Sequence, residues 1–353
     1  MYGNGFILNL LFFVDFFFVL SGFVITYTYG NRIKNGMDVW TFVVKRFGRV
    51  WPLHAVLLAM IVAMEIGKAL FSSHFGEMRV HQAFTGPTAP HTILTNILLM
   101  NSWGAETWGT WNVPSWSIGA EFYTYLIFAI ASLVAGPKLP WVAGIIGLFG
   151  ATIIFFFCPS YMETGFDYGF YRCLLGFFVG TLVYTTFKVR PFKAKRWATL
   201  WEMGALAIVL GFLSYSGPNP SSLLAPFVFG LVVYVFAGET GWVSTFLLKK
   251  MFTNLGLWSY SIYMVHFLLF ALLVYGPVRA LEKLTNTPYS VDVPFQGQIT
   301  NSIWIGNSYL MDLILVLYLV AVVSVSALTY RWIEAPGRVY FNKLSHLSKF
   351  KRP

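Results

Sequence analysis

Long apolar runs separated by short polar breaks make up most of this chain of 353 residues. A helix needs about 20 apolar residues to cross a bilayer core. Nine stretches meet or approach that length: about 6–29, 50–70, 115–135, 141–157, 170–187, 203–215, 223–237, 257–277 and 311–330. The sixth and seventh are short, and "SGPNPSS" between them is a turn signal. "PHTILTNILLMN" (90–101) is apolar but too short to span, and is expected to lie at a membrane interface. No internal repeat or low-complexity segment interrupts the pattern. The expected fold is an all-α, polytopic transmembrane bundle, with one membrane domain over 1–336 and a basic tail over 337–353.

Composition sharpens this picture. Hydrophobic residues make up 57% of the chain and charged residues 11%, with a mean hydropathy of +0.65. A soluble domain carries about 25% charged residues, so several soluble domains are excluded. The net charge of +10 is unevenly placed. With the 30–49 loop inside and the spans alternating, 19 of the 24 Lys and Arg fall on the inner side. Lys68, Arg79, Arg279 and Lys283 fall outside, and Arg172 opens a span. Excess Lys and Arg mark cytoplasmic loops. The expectation is therefore a multi-pass protein of the inner (plasma) membrane with a cytoplasmic C-terminus, and the charge implies no nucleic-acid partner. Cys158 and Cys173 are too few for a metal or disulfide framework, and Cys173 reads as core. No basic segment precedes the first apolar run, so no cleavable leader is expected. Walker A, HExxH, GxSxG and zinc-finger spacings are absent.

Several polar residues interrupt the apolar runs. Asp15 lies inside "LLFFVDFFFVLSGFVI". A carboxylate near the bilayer centre costs about 2.5–3.5 kcal/mol, so it is either a structural anchor to a neighbouring helix or part of a wet substrate cavity. Arg46 and Arg49 in "VVKRFGRVWPLH" are three apart and share a helical face. They are either an inner-surface anchor to lipid phosphates or a guanidinium clamp for a phosphorylated donor, whose oxygens the planar forks suit. In "WNVPSWSIGAEFYTY", Pro114 can start a helix and Ser117 and Glu121 share a face. Glu121 is either a general base for a hydroxyl or the ion-pair partner of Arg172. Ser259, Tyr263 and His266 form one polar stripe in "LGLWSYSIYMVHF", where His266 is either a packing residue or a catalyst. Arg331 and Glu334 in "YRWIEAP" are spaced to pair at the end of the last span.

Taken together, "VDFFFVLSGFVI", "KRFGRVWPLH", "PSWSIGAEFY", "RCLLGFFVG", "LGLWSYSIYMVH" and "YRWIEAP" resemble the acyltransferase 3 family of integral membrane O-acyltransferases, in the family's order from residue 14 to 336. The resemblance implies a ten-helix bundle with both termini cytoplasmic and an acyl-CoA donor entering from inside. No permanently bound cofactor and no metal are implied. The acceptor would be a hydroxyl of an extracytoplasmic or lipid-linked glycan, and the acyl group acetyl. Donor-binding candidates are Arg46 and Arg49. Catalytic candidates are Glu121, Asp15 and His266. Substrate-binding candidates are Trp116, Ser117, Tyr123, Arg172 and Tyr263. Asp15 and the Ser21–Phe23 "SGF" match the helix that lines the family's pore. One departure stands out: the family's preceding helix carries an Arg or Lys ten residues before a catalytic His, and no such element precedes His54 here. The odd span count and the loop-like "MYGNGF" agree with a first helix missing, so the 353-residue form is expected to be inactive or nearly so. The rival readings are a multi-span transporter and a catalytically dead remnant. The remaining partner expected is membrane lipid.

Overall fold

A computed structural model describes residues 5–75, 82–106, 108–295 and 298–347. The chain enters through α1 (Gly5–Leu8) and a 3-10 turn (Asn9–Phe12) into α2 (Phe13–Tyr29). Next come α3 (Gly36–Phe75) and the short α4 (Thr92–Ile97). The middle of the chain holds α5 (Ser115–Ala135), α6 (Leu139–Phe157), α7 (Gly169–Val189), α8 (Ala198–Tyr215) and α9 (Ala225–Phe236). The short α10 (Trp242–Leu247) precedes α11 (Lys250–Phe270) and α12 (Gly276–Thr285). An antiparallel hairpin of β1 (Ser290–Phe295) and β2 (Gln298–Ile303), with Ser290 opposite Ile303, leads to α13 (Ser308–Thr329) and α14 (Ala335–Leu347).

Among the described residues, seven helical runs are long and apolar enough to cross a membrane: Asn9–Tyr29, Gly36–Leu70, Ser115–Phe157, Gly169–Val189, Ala198–Tyr215, Lys250–Thr285 and Ser308–His346. Ser115–Phe157 holds two crossings. On one side Thr124 meets Cys173 and Phe128 meets Phe177, so α5 runs parallel to α7. On the other, Gly147 faces Phe178 and Gly150 faces Tyr171, so α6 runs antiparallel to it. Adding the shorter apolar run Pro220–Phe236, every stretch read from the sequence is helical.

Local chemistry explains the breaks. Pro114 stands at the N-cap of α5, and Gly136 ends it at φ +51°, a backbone region open to glycine. Pro137 and Pro140 then restart the chain as α6. The Asn219 side chain accepts from the Ser221 amide in the "SGPNPSS" turn, and Asn307 caps α13 through the Leu310 amide. Span hydroxyls such as those of Thr26, Thr124 and Thr185 donate to the carbonyl four residues back, which satisfies them away from water. Apolar side chains also point outward: Ile145, Leu148, Phe156, Leu313, Val316 and Val320 are exposed, as lipid-facing positions should be.

Two boundaries differ from expectation. The helix expected from about residue 50 starts at Gly36, because hydropathy registers only the apolar part of a helix whose basic first turns project beyond it. Within the 278–310 loop lie α12 and the β-hairpin, whose alternation is too short to stand out beside the spans. "PHTILTNILLMN" contains the six-residue α4.

At the centre stands α7. A Cβ on Gly22 would come within 1.9 Å of the Phe177 carbonyl oxygen, and one on Gly180 within 2.0 Å of the Val19 carbonyl oxygen. These reciprocal glycines let α2 and α7 touch backbone to backbone, the close approach that small residues allow between membrane helices. On the far side of the bundle α14 docks on α3. A Cβ on Gly48 would strike the Phe341 ring, and one on Gly337 would strike Pro52. The segment expected as a basic tail thus includes a helix seated beside the α3 turns that bear Arg46 and Arg49.

Candidate active site

A cavity of about 310 Å³ opens between α2, α3, α5 and α11. Arg46 and Arg49 enter it from α3, Ser117, Glu121 and Tyr125 from α5, Ser259, Tyr260 and Tyr263 from α11, and Ser21 from α2. Val14, Phe17, Ile25 and Ile118 supply apolar wall. Four elements far apart in the chain therefore place two guanidiniums, a carboxylate and several hydroxyls around one space.

Among the described residues, no Asp or Glu oxygen lies within 4.0 Å of either guanidinium. Arg46 is held by aromatic faces instead, with Tyr29, Phe42 and Tyr125 at 5.3, 5.9 and 6.0 Å from ring centroid to guanidinium carbon. Its Nη2 donates to the Tyr29 hydroxyl at 3.3 Å, and its buried Nε has no acceptor. Aromatic packing fixes the fork in orientation while leaving donors unspent. Two like charges on one face repel, and an anion between them would relieve both.

Glu121 faces the same cavity and makes no ion pair among the described residues. One turn earlier the Ser117 hydroxyl is bonded to the Tyr263 hydroxyl at 2.8 Å. The Tyr125 hydroxyl meets Ser21 Oγ at 3.1 Å, and the Tyr260 hydroxyl donates to the Val50 carbonyl. "SGF" is divided accordingly: Ser21 faces the cavity, while Gly22 packs against α7.

Of the residues singled out in the sequence, Ser21, Arg46, Arg49, Ser117, Glu121, Ser259 and Tyr263 come together here. Asp15, Trp116, Tyr123, Arg172, His266, Arg331 and Glu334 do not line the cavity. Asp15 is fully buried against Arg172, whose Nε donates to Oδ1 at 2.9 Å and Nη2 to Oδ2 at 2.7 Å. Arg172 also donates to the carbonyls of Thr164 (2.7 Å) and Leu11 (3.2 Å). Neither side chain lines the cavity, and Asp15 holds the place that sequence reading offered to Glu121 as partner of Arg172. Trp116 covers the Arg172 guanidinium at 5.5 Å and packs on Gly165 and Gly169. Tyr123 turns away, its hydroxyl donating to the Leu98 carbonyl at 3.0 Å and its ring against Trp103. His266 sits one turn past Tyr263, with Nδ1 at 2.6 Å from the Tyr263 carbonyl. Glu334 accepts from Ser261 Oγ at 2.9 Å and faces Arg338 at 3.8 Å, not Arg331, because a π-helical turn over Tyr330–Glu334 rotates it inward.

Tyr125 and Tyr260 were not singled out in the sequence. Tyr125 stands four residues after Glu121, so the face shared by Ser117 and Glu121 extends to it. Tyr260 carries no such signal beside Ser259. Among the described residues, no group of three His, Cys, Asp or Glu side chains could hold a metal ion.

A family model described as an acyltransferase domain (acyltransferase 3) matches residues 2–331. The chain belongs to the acyltransferase 3 family. Over 119 residues this acyltransferase 3 chain is 33% identical to acyltransferase MdmB of Streptomyces mycarofaciens, a match covering 33% of the chain and 27% of that protein. Over 51 residues it is 43% identical to Protein 2 in the picA locus of Rhizobium radiobacter, covering 14% and 27%. Each match thus spans about a quarter of the curated relative's length. No solved structure matches the acyltransferase 3 chain.

Proposed function

We propose that the protein is a membrane O-acyltransferase that moves an acetyl group from acetyl-CoA to a hydroxyl of an extracytoplasmic or lipid-linked glycan. The observation that carries the reading is the pair of arginines facing one cavity with no carboxylate oxygen within 4.0 Å of either among the described residues, while Glu121 lines the same cavity. Arg46 and Arg49 would hold phosphate oxygens of the donor on the cytoplasmic side, oriented by the ring cage around Arg46. The thioester then projects along the cavity toward α5 and α11. The acceptor hydroxyl donates a hydrogen bond to Glu121, which raises the oxygen's nucleophilicity. The oxygen attacks the thioester carbonyl carbon, the C–S bond breaks, and the departing thiolate takes up the proton released from the hydroxyl. The Ser117–Tyr263 pair supplies hydroxyl donors for an oxyanion or a sugar oxygen. Asp15, Arg172 and Trp116 serve the site at one remove, by fixing α2 against α7.

The test uses membranes from cells expressing the gene at its native locus, supplied with acetyl-labelled acetyl-CoA. Label is expected in base-labile ester on glycan, and Arg46→Ala or Arg49→Ala is expected to raise the donor concentration needed. Charge-assisted contacts contribute about 1.5–3 kcal/mol, or roughly 10- to 150-fold. Label that never reaches an ester, while an untransformed solute crosses the membrane, would overturn the reading in favour of a transporter.

A further inference from the structure

Tyr125 sits where three walls of the cavity meet, and the chemistry proposed above gives it no part beyond caging Arg46. It stands one turn after Glu121 on the same face of α5, and both residues line the cavity. Its side chain is buried, at 2% exposure. The ring meets Phe42 of α3 at 6.0 Å and Phe177 of α7 at 5.9 Å, both edge to face, so it is clamped before any substrate arrives. The Arg46 guanidinium carbon lies 6.0 Å from the centroid of the same ring. At the other end, the hydroxyl is 3.1 Å from Ser21 Oγ of α2 and hydrogen-bonds the Glu121 side chain. Thr26 and Thr28 of α2 donate to the carbonyl four residues back, whereas Ser21 turns toward the phenol.

Counting protons orders these contacts. A phenol carries one proton, and an ionised carboxylate only accepts. The bond to Glu121 therefore uses the Tyr125 proton, and Ser21 must donate to the phenol oxygen. The order Ser21 to Tyr125 to Glu121 leaves the remaining carboxylate lone pairs for a substrate hydroxyl. Among the described residues lining the cavity, Glu121 is the one carboxylate, so no second one competes for that proton. Arg46 and Arg49 are the cations acting on the same hydroxyl, and Tyr260 and Tyr263 of α11 are the other titratable groups in the lining. We propose that Tyr125 is a positioning residue that sets the base in register with the donor clamp: its ring orients Arg46 for the donor phosphate, and its hydroxyl holds the Glu121 carboxylate toward the acceptor. The inference rests on the acyl-transfer reading above. One rigid side chain then fixes the separation between the group that binds the donor and the group that receives the acceptor, and such fixed geometry is what turns two bound reactants into a near-attack pair.

The experiment starts from Tyr125→Phe, which keeps the ring and removes the hydroxyl. In membranes supplied with acetyl-CoA, this variant is expected to keep the parent's apparent donor affinity and to lower turnover about 10-fold, the lower end for a hydrogen bond to a charged group. Ser21→Ala removes the donor behind the phenol and should lower turnover about 3-fold. In a Glu121→Gln background, Tyr125→Phe should add no further loss, because no base is left to position. Infrared spectroscopy of the purified protein reads the contact without turnover. The carboxyl band that Glu121→Gln abolishes is expected to shift in Tyr125→Phe. It should stay in place in Tyr234→Phe, whose hydroxyl donates to the Arg190 carbonyl outside the cavity. An unshifted band, parent-like turnover in Tyr125→Phe, or an equal further loss in the Glu121→Gln background would overturn the positioning role and leave acyl transfer standing. A parent that transfers no acetyl group would instead overturn the acyl-transfer reading, and the band shift would still decide whether Tyr125 holds Glu121.

Discussion

Cutting the buried pair between Asp15 and Arg172 should separate its structural role from a chemical one. The two side chains are 0% and 2% exposed, and the guanidinium spends donors on both carboxylate oxygens and two backbone carbonyls. Asp15→Ala leaves a buried cation with only the carbonyls of Thr164 and Leu11, so a cost of about 3–5 kcal/mol is expected. Arg172→Met strands the carboxylate and should cost as much. Replacing both, as Asp15→Leu/Arg172→Met, removes the charges together and leaves two carbonyls short of a donor. At about 1 kcal/mol for each lost hydrogen bond, and with apolar replacements of buried pairs often neutral, the double variant should lie within roughly 2 kcal/mol of the parent. Unfolding in detergent micelles, read by tryptophan fluorescence, gives the stabilities. Acetyl transfer in membranes should fall with the single variants and return largely with the double one. A double variant as unstable as the singles would refute the pairing energetics. One that folds and binds donor but no longer transfers acetyl would return Asp15 to the chemistry.

Other perturbations bear on the close packing, the cavity and the topology. Gly22→Ala places a methyl 1.9 Å from the Phe177 carbonyl oxygen. Overpacking of this kind costs about 1–3 kcal/mol or more, visible as a lowered unfolding midpoint, whereas Gly204→Ala, where a Cβ meets nothing within 4 Å, should be silent. Arg46→Lys keeps the charge but loses the fork, so its apparent donor affinity should lie between those of the parent and Arg46→Ala. Glu121→Gln should leave donor affinity near the parent value and lower turnover by about 10²–10⁴-fold, the span of a general base; unchanged turnover would remove Glu121 from the reaction. Reporter fusions after residue 195 should read as cytoplasmic and fusions near residue 305 as external, and the opposite result would move the arginine pair to the wrong side for a cytosolic donor.

The sequence made the spans legible because hydropathy and breakers act locally. α5 is bounded by Pro114 and Gly136, and its limits match the stretch read at 115–135. The joint assembly of Arg46, Arg49 and Glu121 was legible only through the family resemblance, since nothing in the spacing of α3 and α5 says that they face one cavity. The partner of Arg172 was not legible. Asp15 lies 157 residues away, and the choice between Asp15 and Glu121 depends on how α2 and α5 are placed around α7. The inward turn of Glu334 was hidden for another reason: its π-helical register breaks the 3.6-residue periodicity by which faces are read.

The distance along the chain between Asp15 and Arg172 also sets an order of events during synthesis. At about 5–20 residues per second, 157 residues take roughly 8 to 30 s. For that time α2 exists with a carboxylate in its apolar stretch and no guanidinium to meet it, and Gly22 has no Phe177 carbonyl to rest on. The nascent chain is thus a ribosome-bound intermediate whose first described crossing is poorly suited to bulk lipid. Its release from the insertion machinery would await α7, so arrest of translation before residue 172 should leave α2 crosslinkable to that machinery, while arrest beyond residue 189 should free it.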